Sequence, residues 1–320
     1  MVENVDVIVL GSCIMDFISY VPRIPKVGET IHGSRFATGF GGKGANQCVA
    51  ASRLGSRCAM VGKLGQDSWG QAYRDHLQQE GIDITHLSQI DGQSTGIAQI
   101  NVSESDGANN IVIVVGANNS LSVPDADLAA QHIPKARVLV CQLETPMSAT
   151  MRALELFPGI SILNAAPALE DTPQKLLQLP TIFCVNETEA SLMTKLPVES
   201  VLEAKKAIEV LQEMGANTVI ITLGANGAVF REKASLTTVH VKIPPVDSVV
   251  DTTGAGDAFI GALAHLLAKV DSPESFGQLV GAASEIASMS VRLPGTQSSF
   301  PKISGFEKQI LTKKYDLEEI

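Results

Sequence analysis

"SVLEAKKAIEVLQEMGANTVIITLGANGAVF", residues 200–230, decides the fold class. Its first half, up to Gly215, has the apolar spacing of a helix. Its second half is a β-type apolar run that ends in a tight Gly turn and doubles back as a hairpin. The same alternation recurs on both sides. "VDVIVLG" opens the chain, and "RCAMVGKLG" follows the helical "ANQCVAASRLG". "ARVLVCQLE", "ISILNAAPA" and "TIFCVNE" come later, with two long helix candidates at 257–269 and about 274–293. Continuous apolar strands between helices predict an α/β fold: a doubly wound, mostly parallel sheet flanked by helices.

Two stretches break the rhythm. Residues 13–39 and 93–117 show strand alternation and turns but no helix. They are expected to pair as a small β-sheet, a lid over the C-terminal edge of the main sheet and a surface for contact with a second subunit. Residues 1–12, 40–92 and 118–320 then form the α/β core that binds substrate and nucleotide.

The composition narrows the partners. The chain has 320 residues, 34 acidic against 24 basic, with a formal net charge of −10. No Lys/Arg run stands out, so neither nucleic acid nor a membrane surface is the expected partner; a small molecule is. The N-terminus lacks a basic n-region and does not read as a secretory signal, and no stretch approaches the length of a membrane span. Five scattered cysteines read as buried hydrophobes in a reducing compartment, so a cytoplasmic location, with the nucleus as an addition, is expected.

Several polar residues fall at strand ends or glycine turns. Gly39-x-Gly41-x-x-Gly44 formally matches the dinucleotide fingerprint, but it does not follow the first strand, and no carboxylate ends the next one. A P-loop fails as well, because Gly44 and not Ser or Thr follows Lys43. What remains is a glycine run before a helix, which reads either as a tight turn with a solvated Lys43 and a helix-start Asn46 or as a site where a ligand approaches the backbone and Asn46 hydrogen-bonds two adjacent hydroxyls. Asp16 and Glu144 each follow an apolar strand and read as a cap or as a hydroxyl acceptor in a ligand crevice. Asn186-x-x-Glu189 reads as a capping box or as a water-mediated Mg²⁺ contact. In "VVDTTGAGDAFIGAL", 249–263, Asp257 falls where a Gly-rich turn becomes a helix. There a carboxylate either caps the free N–H groups or stands beside a bound phosphate. No zinc-ligand spacing and no Gly-x-Ser-x-Gly elbow is present.

"GGKGANQ" at 41–47 and "DTTGAGDAFIGAL" at 251–263, about 200 residues apart, resemble the two signatures of the ribokinase (PfkB) family of carbohydrate kinases. "GSCIMD", "VCQLE", "TLGANG" and "PGTQSSFP" are most similar to the members of that family that phosphorylate ribose. The resemblance implies ATP-dependent phosphorylation of the 5-hydroxyl of D-ribose, with Asp257 as general base. The Gly254-Ala255-Gly256 turn would be an anion hole for the transferring phosphoryl group. It further implies that Asp16, Gly42, Lys43, Asn46 and Glu144 contact the sugar. Asn186, Thr222, Gly224, Gly227, Gly256 and Ser284 would border ATP, and Glu189 would act through the water shell of Mg²⁺. An activating K⁺ is implied at Asp251, Thr253, Ser290, Leu293, Gly295 and Ser299, and the implied assembly is a homodimer.

One position departs from the family pattern. Ile14 stands where many bacterial members carry Asn two residues before the sugar-binding Asp, which leaves the choice of sugar open. A fructokinase or nucleoside kinase of the same family is the nearest rival, and a non-catalytic sugar-binding regulator is the rival from another class.

Overall fold

The structure is a computed structural model that describes residues 5–132, 135–269, 275–302, 310 and 313–320. The chain begins with β1 (Val7–Leu10), then β2 (Ile14–Val21), β3 (Arg35–Gly41), α1 (Lys43–Arg53), β4 (Cys58–Gly65), α2 (Ser68–Gln79) and β5 (Leu87–Ile90). β6 (Gly96–Ser103), β7 (Asn109–Val114), α3 (Val123–His132), β8 (Val138–Cys141), α4 (Met147–Leu156) and β9 (Ile160–Asn164) follow. Next come α5 (Gln174–Gln178), β10 (Ile182–Asn186), α6 (Glu187–Thr194), α7 (Val201–Glu213), β11 (Thr218–Thr222), β12 (Ala228–Arg231) and β13 (Val239–Lys242). The last elements are α8 (Ala255–Lys269), α9 (Phe276–Ser290) and β14 (Asp316–Glu319).

Ten of these strands form one sheet in the order β5-β4-β1-β8-β9-β10-β11-β12-β13-β14. The seven from β5 to β11 run parallel, and the last three are antiparallel. The alternation of side chains explains the layering. Val7 and Val9 of β1 join the apolar layer under α1, α8 and α9, whereas Ile8 and Leu10 join the layer under α3, α4 and α7. Both faces are covered, which is why these strands read as unbroken apolar runs.

The local signals agree with this arrangement. In α7, Ala204, Ala207, Ile208 and Leu211 form one buried face, Ser200 caps the start by accepting from the Glu203 N–H, and Gly215 follows the end with φ +116°. α8 begins at Ala255, two residues before the expected start. α9 spans Phe276–Ser290, so the expected start near 274 lies outside the described residues.

Both non-helical stretches pair as a separate four-stranded sheet, β3-β2-β6-β7, closed by a 3-10 turn at Gly116–Ser120. Asn118 fastens it to the core by accepting from the Cys13 N–H and donating to the Cys13 carbonyl, each at 2.8 Å. Strand direction fixes where a ligand can sit. The chain leaves β1 for β4 on one side and returns as β8 on the other, so a crevice opens at the C-terminal ends of β1 and β8.

Candidate active site

Asp16 lies within β2, neither a cap nor a turn. On β3 it faces Gly39, and on β6 it faces Ala98, while Ile14 on the same side faces Gly41 and Gly96. Gly39, Gly41 and Ala98 leave a hollow over the carboxylate, whereas Gly96 packs against Asn118 and Val115. A Cβ at Gly41 would lie 2.4 Å from Asp16 Oδ2, so only glycine fits there. Among the described residues no donor reaches the Asp16 carboxylate, and its pKa is pushed up to about 7 by burial and then by the Glu144 and Asp257 charges. A half-buried carboxylate without a donor is a ready acceptor for ligand hydroxyls.

Glu144, just beyond β8, combines both of its expected readings. Its Oε2 accepts from the Lys43 N–H at 2.9 Å and from the Ser12 hydroxyl at 2.5 Å. It thereby caps α1 from across the crevice, at a start where Gly42, with φ +87°, has no side chain to do so. Burial lowers the proton affinity of the Lys43 ammonium, but the Asp257, Glu144 and Glu189 carboxylates outweigh it and hold the pKa above its ordinary value. Burial raises the Glu144 and Glu189 carboxyls.

Asp257 is buried in the first turn of α8, and its carboxylate is gripped from α1. Asn46 Nδ2 donates to Oδ2 at 2.8 Å, and Gln47 Nε2 donates to Oδ1 at 2.9 Å. Behind these, Gln142 Nε2 donates to Gln47 Oε1 at 2.7 Å, and Gln47 also donates to Asn164 at 3.0 Å. The N–H groups of Gly256 and Asp257 have no hydrogen-bond partner among the described residues, as expected at a helix start. Gly254 supplies the turn, with φ +80°.

Two cavities meet at this turn. One of about 170 Å³ is bounded by Lys43, Asp257, Asn186, Glu189 and Gly254. The other, about 350 Å³, is mostly apolar, with Pro244, Val246, Val249 and Val291 beside Gly224, Gly227 and Ser284. Thr222, Gly256 and Phe259 border both. Asn186 and Glu189 form a capping box at the start of α6, with bonds of 2.8 and 2.9 Å, and still face the smaller cavity. The Ser284 hydroxyl bonds back to the Val280 carbonyl at 2.8 Å. Asp16, Gly42, Asn46 and Glu144 flank the Lys43 end of the smaller cavity without lining it.

The residues expected around a monovalent cation sit on the loop before α8 and on the end of α9 with the segment that follows it, two stretches that touch. Asp251 Oδ1 accepts from the Thr253 N–H and Oδ2 from the Gly295 N–H, each at 2.9 Å. Ser290 and Ser299 turn their hydroxyls to backbone carbonyls of their own turns, and the Leu293 side chain is exposed. Among the described residues no group of three His, Cys, Asp or Glu could hold a metal ion, and no helix is long and apolar enough to cross a membrane. All five cysteines are buried and free.

Sequence reasoning missed Ser12, Gln47, Gln142 and Asn164, and also Tyr73 and Gln297, which stand behind Asn46: Gln297 Nε2 donates to Asn46 Oδ1 and to the Tyr73 hydroxyl. Their common feature is that each acts through another side chain, and neutral hydroxyls and amides carry no pattern of their own in the sequence. Gln47 was within reach, because it follows Asn46 inside the quoted glycine motif.

A buried aspartate at a helix start, between a carboxylate-lined hollow and an apolar cavity joined by a glycine turn, defines a phosphoryl-transfer site on a doubly wound sheet. Comparison with known proteins narrows this class. The profile of the pfkB family carbohydrate kinases matches residues 4–303. A ribokinase of Mus musculus is 44% identical over 302 residues, 93% of each chain. A deoxyribokinase of Salmonella typhi is 37% identical over 308 residues, 95% of this chain and 98% of its own. The structure of Arabidopsis thaliana ribokinase complexed with ribose and ATP matches with a TM-score of 0.86 at 28% identity, covering 98% of this chain and all of that one. The chain belongs to the pfkB family of carbohydrate kinases, and it is an ATP-dependent sugar kinase.

Proposed function

We propose that the protein transfers the γ-phosphoryl group of ATP to the 5-hydroxyl of D-ribose, giving D-ribose 5-phosphate and ADP. The observation that carries this reading is the position of Asp257. It is buried, held by two amide donors, and bounded on one side by hydroxyl acceptors and on the other by a cavity suited to a nucleobase. The sugar occupies the hollow of Asp16, Gly42, Lys43, Asn46 and Glu144. ATP lies from Ser284 and Gly227 past Gly224, Thr222 and Asn186 to Gly256. As the 5-oxygen attacks the γ-phosphorus, Asp257 accepts its proton, the bond to the β-phosphate oxygen breaks, and ADP leaves. In the Gly254-Ala255-Gly256 turn the Ala255 N–H donates to the Thr252 carbonyl at 3.2 Å, so the charge on the transferring group would fall to the N–H groups of Gly254 and Gly256, unbonded among the described residues, with that of Asp257 beside them.

Glu189 and Asn186 fit a hydrated Mg²⁺ held mainly by the ATP phosphates, since such an ion needs only one or two protein oxygens. The ion would neutralise phosphate charge during transfer. Asp251, Thr253, Ser290, Leu293, Gly295 and Ser299 offer mostly carbonyl and hydroxyl oxygens beside Gly254, a donor set that suits K⁺. Such an ion would stiffen the glycine turn without touching substrate.

Residues 13–39 and 93–117 act as a lid over the sugar, with residues 1–12, 40–92 and 118–320 as the core. The lid's outer strand supports a homodimer, because Ile111, Val112, Ile113 and Val114 are about half exposed on an open sheet edge. Five free, buried cysteines support a cytoplasmic location, the nucleus included.

The test is ADP formation from MgATP with D-ribose, 2-deoxyribose, D-fructose, fructose 6-phosphate and adenosine, each with and without K⁺. Turnover should be greatest on ribose and rise with K⁺. Preference for 2-deoxyribose would instead assign the similarity to the Salmonella typhi deoxyribokinase the greater weight, with Ile14 the first residue to exchange. Asp257→Asn should lower kcat by about 10²–10⁴, the usual contribution of a general base; normal turnover would remove it from that role.

A further inference from the structure

Asn46 has an amide group that can face Asp257 with either its oxygen or its nitrogen, and only the nitrogen binds a carboxylate. The side chains behind it decide which. The Tyr73 hydroxyl donates to the Gly41 carbonyl at 2.5 Å, so its lone pair must accept from Gln297 Nε2 at 3.1 Å. That fixes the Gln297 amide with its nitrogen towards Tyr73 and Asn46, and Nε2 donates to Asn46 Oδ1 at 2.9 Å. The oxygen end agrees. Gln297 Oε1 lies 2.7 Å from His76 Nε2, whose pKa is held below the ordinary value by burial, so a neutral ring carries its proton on Nε2. The His76 ring stacks on Phe40 at 4.0 Å between centroids. The Gln297 carbonyl is bound by Arg53, which Glu80 holds at 2.5 Å. Tyr73, Gln297 and Asn46 are all buried.

With Asn46 Oδ1 occupied by Gln297, its Nδ2 is left for Asp257. We propose that Gln297 is a positioning residue for phosphoryl transfer, setting the polarity of a relay Tyr73–Gln297–Asn46–Asp257. Resting on the reading of Asp257 as the base, it gives the "PGTQSSFP" loop a direct mechanical link to the reacting oxygen. The charged groups around the far end, Lys43, Glu144, Asp16 and Glu189, act on Asp257 independently of this relay.

The test is a double-mutant cycle on the full chain. Gln297→Met keeps the length of the side chain and removes both N–H donors and the acceptor. It is expected to lower kcat about tenfold while the KM for ATP stays within about twofold, because the relay reaches the base and not the nucleotide cavity. In an Asp257→Asn background the same substitution should change kcat by less than about twofold, since its effect passes through the carboxylate. A wild-type kcat for Gln297→Met, or a loss that persists undiminished in the Asp257→Asn background, overturns the proposal. If Gln297→Met yields no folded protein, Tyr73→Phe removes one hydroxyl from the relay's end and is read in the same cycle. Near-normal turnover by Asp257→Asn alone would instead refute the base assignment, an outcome distinct from failure of the relay.

Discussion

Asp16→Asn should make the ligand-free protein more stable while impairing its use of sugar. The Asp16 carboxyl is pushed from its ordinary 3.8 up to about 7 by burial and by repulsion from Glu144 and Asp257. The unfolded chain releases this proton near the lower value, and the folded chain keeps it until the upper one. Between them the folded state binds more protons, so stability falls as pH rises through the window and the full cost is present above it. At about 1.36 kcal/mol per pH unit, the interval from 3.8 to about 7 corresponds to about 4 kcal/mol. Solvent screening of the part-exposed oxygens brings the expected gain to about 2–4 kcal/mol.

The amide of the variant has no charge to bury. Urea unfolding of both proteins at about pH 4 and pH 8 therefore separates the cases: equal stability at the acid end, and a higher midpoint for the variant at the alkaline end. Loss of a charged acceptor should cost sugar binding about 1.5–3 kcal/mol, raising the ribose KM about 10- to 150-fold. Equal or lower stability of the variant at pH 8, or a gain that does not change with pH, would refute the argument that Asp16 is a desolvated charge held for the ligand.

Three other substitutions separate packing from chemistry. Gly254→Ala should destabilise by about 1–3 kcal/mol, because φ is +80° and the new Cβ would lie 2.5 Å from Thr296 Cγ2; a thermal melt measures it. Gly256→Ala meets nothing within 4 Å, so the melt should stay put while the KM for ATP rises, the methyl pointing into the wall shared by both cavities. Glu189→Gln keeps the capping geometry, since Gln serves at that position as well, but removes a carboxylate: stability should hold within about 0.5 kcal/mol while half-saturation by Mg²⁺ moves upward.

Much of this was legible from short stretches. The unbroken apolar runs gave the doubly wound sheet, because parallel strands buried on both faces leave no polar alternation to misread. Gly254 and Gly256 announced a turn before a helix, and Asp257 stood out as a charge in an apolar segment. Asp16 was readable as a polar residue near the first strand, but not as a mid-strand residue, because its neighbours Gly39, Gly41 and Ala98 come from other parts of the chain. The capping role of Glu144 was visible only as a general possibility, since it caps a helix about 100 residues upstream. Gln297 illustrates the limit: its partners Tyr73, His76 and Asn46 come from two different helices, and nothing local marks their convergence.

The balance of charge around Asp257 bears on what kind of acceptor the hollow admits. Asp16, Glu144, Glu189 and Asp257 are all close enough to influence one another or Lys43, and the Lys43 ammonium is claimed by three of them. A substrate that brought its own phosphate would need a free cation, and Lys43 has none of its charge to spare. A neutral polyol faces no such penalty: on the proposed reading its hydroxyls would donate to Asp16 and Glu144, offsetting the burial and repulsion that hold those carboxyls above their ordinary range. On the proposed reading, phosphorylation would place a dianion beside Asp257, whose charge already acts on Asp16 and Glu144. The interactions that favour entry of the uncharged sugar therefore weaken for the phosphorylated product, so the same electrostatics that select the acceptor also favour its release.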